Sequence, residues 1–339
     1  MYTADMFDFS GKDKLNAESV EYREAIIAHH AKNPHCLFFV SHSGGKDSQA
    51  MYETIKALVP ASQIVVVHAH LGRVEHRGVL EHISDTVDGH TVHIVKNDRK
   101  DFIDMVLLRE KFPSPQFRQC TSDLKTSQID KFIRRVMKER GATTGFNCIG
   151  LRAEESSQRA ARNPLWINQR LTLKPNKKGV VKRTVYDWMP VFHLTFDDVF
   201  DVIEAAGKQA HPAYGYRGSK NRRLSCVLCI MACQNDLLHG ATDYPALYNE
   251  YIALEEVIGH TMFCKTVQGS PVPVSIEEKV GLPQDEVAVK RYIKKLKVRK
   301  AQLEAVKAQE AKAKAEKKAL TVSKPTGKKR DALTIEMFA

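Results

Sequence analysis

With 339 residues, 43% of them apolar, the chain is long enough for one large domain or two smaller ones and apolar enough for a real core. No stretch reaches the length of a membrane helix, and residues 1–10 lack a basic-then-apolar leader, so a cytoplasmic protein with no membrane role is expected. The net charge of +12 is uneven: beyond residue 284 there are sixteen Lys or Arg against seven Asp or Glu, so the globular part is only mildly basic.

In chain order, residues 17–32 read as a helix with a partial apolar stripe of Val20, Ile26 and Ile27. The apolar run 36–40 reads as a buried strand. It is followed by Ser41-His42-Ser43-Gly44-Gly45-Lys46-Asp47-Ser48 and a helix over 49–58, where Met51, Ile55 and Leu58 keep helical spacing. Further strands are expected at 64–68, 91–95 and 146–149, with helices near 77–87, 100–110 and 125–140. Alternation of this kind predicts an α/β fold with a doubly wound parallel sheet. Ligands of such sheets lie at the carboxyl ends of the strands. The loop at 43–48, Leu71-Gly72 and Gly150-Leu151-Arg152 all lie there and are expected to converge on one nucleotide.

Residues 165–185 read as a loop or hairpin excursion, and 186–190 lead into a helix over 195–206 with Thr195 as N-cap. Residues 211–224 are a polar loop. Tyr244 opens an amphipathic helix to 258, residues 271–283 form a break, and 284–320 are a long Ala/Lys/Glu helix, either solvated or part of a coiled coil. Three regions are expected: a nucleotide-binding domain at 1–210, a cysteine-bearing helical region at 211–283 and a basic tail at 284–339. The tail offers a surface to nucleic acid, or is only a solvated face.

The loop at 43–48 carries the chemistry. A strand, a glycine turn and a helix aim unpaired amides and the positive end of a helix dipole into one concave spot, which suits a phosphate. Gly44 and Gly45 let the backbone close on the ligand. Ser43 and Ser48 add hydroxyls, Lys46 a charge and Asp47 a carboxylate. The spacing is not that of the kinase-type P-loop, which needs G-x-x-x-x-G-K-[ST]. Downstream, Arg152 and Arg159 straddle Glu154 and Glu155. They form either a salt-bridged surface turn or a bidentate grip on a phosphate or sulfonate, and their place after a strand favours the grip.

Seven cysteines in a reducing compartment do not suggest a disulfide framework. Cys226 and Cys229 have metal-ligand spacing beside a basic loop that would lower their thiol pKa values. Cys120 has an arginine close before it, and Cys233, one helical turn past Cys229, is within reach of the same centre or else packs on a helix face. Four sulfurs would hold an iron–sulfur cluster or a zinc. Cys36, Cys148 and Cys264 read as structural.

The stretch from Ser43 to Ser48 resembles the SGGxDS pyrophosphate loop of N-type ATP pyrophosphatases at every fixed position. Residues from about 20 to 265 are similar to the phosphoadenosine phosphosulfate reductase family, through SGGKDS at 43–48, RQCTSDLK at 118–125, GLRAEESSQR at 150–159, the aromatic-bearing segment from Asp187 to Asp198, HPAY at 211–214 and SCVLC at 225–229. That family includes sulfonucleotide reductases, the small subunit of ATP sulfurylase and the DNA phosphorothioation protein of bacteria and phages. The resemblance implies an adenine nucleotide alpha hydrolase-like fold and binding of ATP with Mg2+ by Ser43, Gly44, Gly45, Lys46, Asp47, Ser48 and Gly150. It also implies catalytic roles for Lys46, Asp47, Arg152 and Arg159, and a 4Fe-4S cluster or zinc on Cys120, Cys226, Cys229 and Cys233. Three departures separate the chain from the reductases. The ATP-type loop is intact, nothing after Cys264 supplies the late nucleophilic cysteine, and Cys120 is followed by Thr121 rather than a second cysteine. His70 also stands where an aspartate is common. The expected activity is therefore adenylyl transfer with pyrophosphate release, coupled to sulfur chemistry as in phosphorothioation. The alternatives are a sulfonucleotide reductase or a nucleotide-responsive nucleic-acid-binding module; the acceptor and any second copy or partner subunit are left open.

Overall fold

The computed structural model describes residues 20–174 and 182–322. The start of the chain and the segment after residue 322 lie outside them, as do residues 175–181 of the excursion. The elements run α1 (Val20–Ala31), β1 (Cys36–Ser41), α2 (Lys46–Leu58), β2 (Ile64–Ala69), α3 (Val79–Thr86), β3 (Val92–Val95), α4 (Phe102–Arg109), α5 (Ser127–Glu139), β4 (Thr144–Cys148), α6 (Ser157–Ala160), β5 (Leu165–Ile167), β6 (Thr184–Trp188), α7 (Phe196–Ala205), α8 (Gln234–Asp243), α9 (Pro245–Ile258), β7 (Phe263–Val267), β8 (Ser270–Val274), α10 (Ile276–Val280) and α11 (Glu286–Val322).

The main sheet has the order β3-β2-β1-β4-β6-β5, parallel throughout except for β5 at its edge. β1 and β2 are buried along nearly their whole length, because helices cover both faces of the sheet. Phe38, Val40, Val66 and Phe146 pack toward α1, α2 and α7. Leu37, Phe39, Val65 and Val67 face Phe132, Ile133 and Val136 of α5. In-register aromatic rings tie three neighbouring strands. Phe38 stacks on Phe146 at 4.9 Å, and Phe146 on Tyr186 at 5.1 Å. The order reverses between β1 and β4, so the crevice for a ligand opens at their carboxyl ends.

Several local expectations change. Residues 184–188 form strand β6 rather than a lead into the next helix. Its Asp187 is tolerated inside the sheet because Asn147 and Asn168 donate to it at 2.6 and 2.9 Å. Residues 271–283 are not a break: they hold most of β8 and all of α10. The long helix α11 is not simply solvated. Val289, Leu296 and Leu303, seven residues apart, are buried in one core with Leu247, Tyr251 and Leu254 of α9. Arg299 then clamps Asp104 of α4 through two bonds of 2.8 and 2.7 Å, and Lys300 pairs with Glu110.

This docking is testable. Leu296→Ala should cost about 2–4 kcal/mol of stability in urea unfolding, as for a buried leucine. Val306→Ala, at a position 53% exposed on the same helix, should change stability by less than about 0.5 kcal/mol. Equal effects would show that α11 does not pack.

Candidate functional site

The chain leaves β1 at Ser41, and the His42 amide extends the pairing by donating to the Val67 carbonyl at 2.9 Å. Gly44 then takes a left-handed φ of 78°, and a Cβ there would lie 2.9 Å from Val79 of α3. A Cβ on Gly45 would lie 3.1 Å from the Tyr214 hydroxyl. Both glycines are therefore required by the close approach of neighbouring segments as well as by the turn.

The amides of the loop are not unpaired, as the sequence led us to expect. Ser43 N–H donates to Ser48 Oγ at 3.1 Å, Gly44 N–H to His42 Nδ1 at 3.1 Å, Gly45 N–H to Ser43 Oγ at 3.4 Å and Lys46 N–H to Tyr214 Oη at 3.0 Å. Buried donors must find acceptors, and here they find side chains. Hydroxyls and a ring can turn away, so a phosphate would replace them without unmaking the backbone. His42 is 1% exposed and accepts through Nδ1, so its proton sits on Nε2, which has no hydrogen-bond partner among the described residues. Burial, with His82, His68 and Lys208, pushes the ring's pKa down to about 3 and keeps it neutral. An orphaned buried donor costs about 1–3 kcal/mol.

Two loops meet at the switch point. Lys46, 2% exposed, donates to both oxygens of Asp47 at 2.9 and 3.0 Å and sits 4.7 Å from the centre of the Phe196 ring. Arg152, 4% exposed, donates from Nε to the same carboxylate at 2.6 Å, pairs with Glu154 and reaches the Leu194 carbonyl at 3.4 Å. Burial works to raise the Asp47 pKa, but Lys46 and Arg152 outweigh it and the carboxyl titrates below its usual range. Burial lowers the Lys46 pKa, with Arg152 and Arg223 adding to the effect and Asp47 opposing it. Gly150 makes the junction possible: a Cβ would stand 3.0 Å from the Asp47 carbonyl oxygen and 3.1 Å from the Ser48 nitrogen.

Arg159 pairs with Glu155, which also receives Arg223 at 3.0 Å. The salt-bridged turn is thus present in this segment. Burial lowers the Arg159 pKa to about 10, aided by Arg223, Arg118 and Arg162. Arginines from three segments converge beside the loop, a concentration of charge suited to an anion. A cavity of about 140 Å³ lies at the ends of β1 and β2, lined by His42, Ser43, Leu71, Glu75, Lys125 and Cys226 among others. It has room for a small anion and not for a nucleoside. Sequence reading missed His42, Arg118 and Arg223 as members of the site. Tyr214 was visible only as part of HPAY.

Cys120, Cys226 and Cys229 lie close enough to influence one another electrostatically. Burial raises the Cys120 thiol and pushes Cys226 to about 12; Lys125 opposes both without prevailing, so the expected lowering by a basic loop does not occur at these two. Beside them the buried Tyr251 hydroxyl has no hydrogen-bond partner among the described residues. Three sulfurs in one neighbourhood are the donor type that a thiolate-bound group would use. The sulfurs are not gathered to the spacing of about 3.8 Å that a tetrahedral zinc would impose. Cys233 is not on a helix with Cys229. It is exposed and caps α8, its sulfur accepting from the Asp236 amide at 3.5 Å. Cys36 and Cys148 are buried in the sheet core, and Cys264 is exposed on β7.

Gly150→Ala should separate the two loops by a few tenths of an ångström. The expected outcome is a loss of about 1–3 kcal/mol in stability with weakened nucleotide binding, measured by thermal unfolding and calorimetry. Parent-like values for both would show that the contact at the switch point is unimportant.

The chain resembles an uncharacterised 37.8 kDa protein from the gpa 5′ region of Escherichia phage 186, with 27% identity over 147 residues, 43% of this chain. The match spans about 40% of that relative's length. Among solved structures it is similar to a phosphoadenylyl-sulfate reductase of Candida auris in a phosphate complex (TM-score 0.34, 12% identity, 60% of this chain and 92% of that one). It is also similar to an FMN adenylyltransferase of Candida glabrata (TM-score 0.34, 11% identity, 80% and 76%). The profile of the phosphoadenosine phosphosulfate reductase domain matches residues 38–232, which contain the pyrophosphate-type loop, the arginine segment and the cysteine motif, and the chain belongs to that family.

Proposed function

We propose that the protein is an enzyme that binds ATP at the 43–48 loop and transfers its adenylyl group to an acceptor, releasing pyrophosphate, in the service of sulfur chemistry like that of phosphorothioation. The observation that carries this reading is the junction at the switch point, where an intact SGGKDS loop is bound through Asp47 to Arg152 while His42 holds an unused buried donor. Ser43, Gly44, Gly45, Lys46 and Ser48 would receive the β and γ phosphates at the amino end of α2, where donors and dipole favour the charge that develops on the leaving pyrophosphate. Arg152 and Arg159 would steady the α phosphate or the acceptor. Mg2+ would neutralise phosphate charge. Because Asp47 is already committed to Lys46 and Arg152, the ion would sit on phosphate oxygens and water.

Reduction of a sulfonucleotide is the weaker reading, because the last cysteine, Cys264, is on an exposed hairpin strand outside any Glu-Cys-Gly-x-His context. Cys120, Cys226 and Cys229 would hold the thiolate-bound group, either iron–sulfur or zinc, which would carry sulfur or shape the acceptor side. Lysines on the exposed face of α11 offer a surface to nucleic acid as acceptor.

Pyrophosphate release from ATP and Mg2+, with sulfate or DNA as acceptor, tests the proposal. Lys46→Ala and Asp47→Asn should each lower the rate by about 100-fold or more, the scale for loss of one preorganised charge-stabilising group. Unchanged release in both variants, or none from the parent with any acceptor, would overturn it.

A further inference from the structure

His68 and His70 are two residues apart on and just beyond β2, so they share a face of the strand. The chain then makes a tight turn over Gly72–Val74, held by the Glu75 amide donating to the Gly72 carbonyl at 3.1 Å, and brings Glu75 back beneath the two rings. One ligand atom from each of the three lies within 4.8 Å of the others, the one such group of His, Cys, Asp or Glu among the described residues. Glu75 is 2.7 Å from His70 Nδ1 and 3.3 Å from His68 Nε2.

The orientation of His68 is informative. Its Nδ1 lies 2.9 Å from the His42 carbonyl oxygen, which can only accept, so Nδ1 carries the proton. A neutral His68 then turns the lone pair of Nε2 toward the Glu75 carboxylate. Two acceptors facing each other, one on a ring 2% exposed, repel unless a cation stands between them. A second ring proton would serve, and so would a metal ion. A histidine whose far nitrogen is tied to a carbonyl is the usual second contact of a metal-bound imidazole. Two imidazoles and one carboxylate, with the fourth side open, is the donor set of zinc sites that bind a reacting group.

We propose that His68, His70 and Glu75 bind a divalent ion of zinc's class, leaving a coordination position for an oxygen or anionic ligand. His70 and Glu75 line a cavity of about 700 Å³ walled by α3, α9 and α11, with Arg73, Arg77 and Lys295 on its surface. His68 and Glu75 also line the smaller cavity that holds Ser43 and Cys226. The ion would occupy the partition between the two, within reach of an anionic acceptor from the larger side. This assignment uses nitrogen and oxygen donors only, so it is separate from the cysteines, and it does not depend on ATP turnover.

The test is zinc and cobalt binding to the full chain after chelator treatment. In a Cys226→Ser/Cys229→Ser variant, zinc should still bind, and cobalt should give a visible spectrum without thiolate charge transfer. His70→Ala and Glu75→Gln should each weaken zinc binding by about 100-fold or more, above the loss usual for an outer partner. Zinc should raise the unfolding midpoint of the parent and not that of His70→Ala; His70 is 31% exposed, so this variant should fold. X-ray absorption of the zinc-loaded parent supplies a reading with no substitution, and nitrogen and oxygen ligands are expected beside any sulfur. A parent that binds no zinc, a folded His70→Ala that binds it fully, or a parent whose zinc has sulfur ligands alone would overturn the assignment and leave His68 and Glu75 as a protonated ion pair.

Discussion

The Asp47 carboxylate is shared by Lys46, its own neighbour, and Arg152, which arrives from the far side of the switch point. Everything else at the site is arranged around this contact. Paired charges buried to this degree are weak evidence of stability, since desolvation offsets most of their attraction. Their effect is positional. Loss of either cation would leave the Asp47 carboxylate with a single partner, so the loops after β1 and β4 are held in one relation. Gly150 is the steric condition for that relation and Tyr214 its third wall, accepting from Lys46 and Leu224 at 3.0 and 3.1 Å.

The carboxyl-terminal half gives the site its second side. α9 is buried nearly all round, against α4, α8 and α11, and the same core takes in Val227 and Leu228 between the two cysteines of the C-x-x-C motif. Gly240 of α8 lets the Val227 carbonyl approach, since a Cβ there would lie 2.5 Å from that oxygen. The cysteines are thus fixed by helix packing against the edge of the crevice at the strand ends. Cys226 reaches the cavity that Ser43 also lines, which places a thiol beside the 43–48 loop.

The strands β1, β2 and β4 were legible because a parallel strand covered on both faces is a continuous apolar run. The turn at 43–48 was legible because an apolar strand, two glycines and a helical spacing follow one another in the sequence. β6 was hidden by Asp187, whose charge is answered by asparagines far away in sequence. β7 and β8 are mostly exposed, and two prolines in β8 disguise it. The docking of α11 rests on one apolar residue in seven, which a run of Ala, Lys and Glu conceals. The orphaned Nε2 of His42 and the meeting of His68 with Glu75 depend on ring orientation and a turn, and no spacing rule reports either.

The account turns on whether the 43–48 loop exchanges its internal partners for a phosphate. The direct measurement is nitrogen–proton NMR of the labelled full chain during titration with pyrophosphate and with ATP. The account predicts that the Gly44, Gly45 and Lys46 amides and the His42 ring proton shift together, saturably, and that Asp47→Asn removes the response. Shifts confined to lysines of α11, with those amides unmoved, would contradict it.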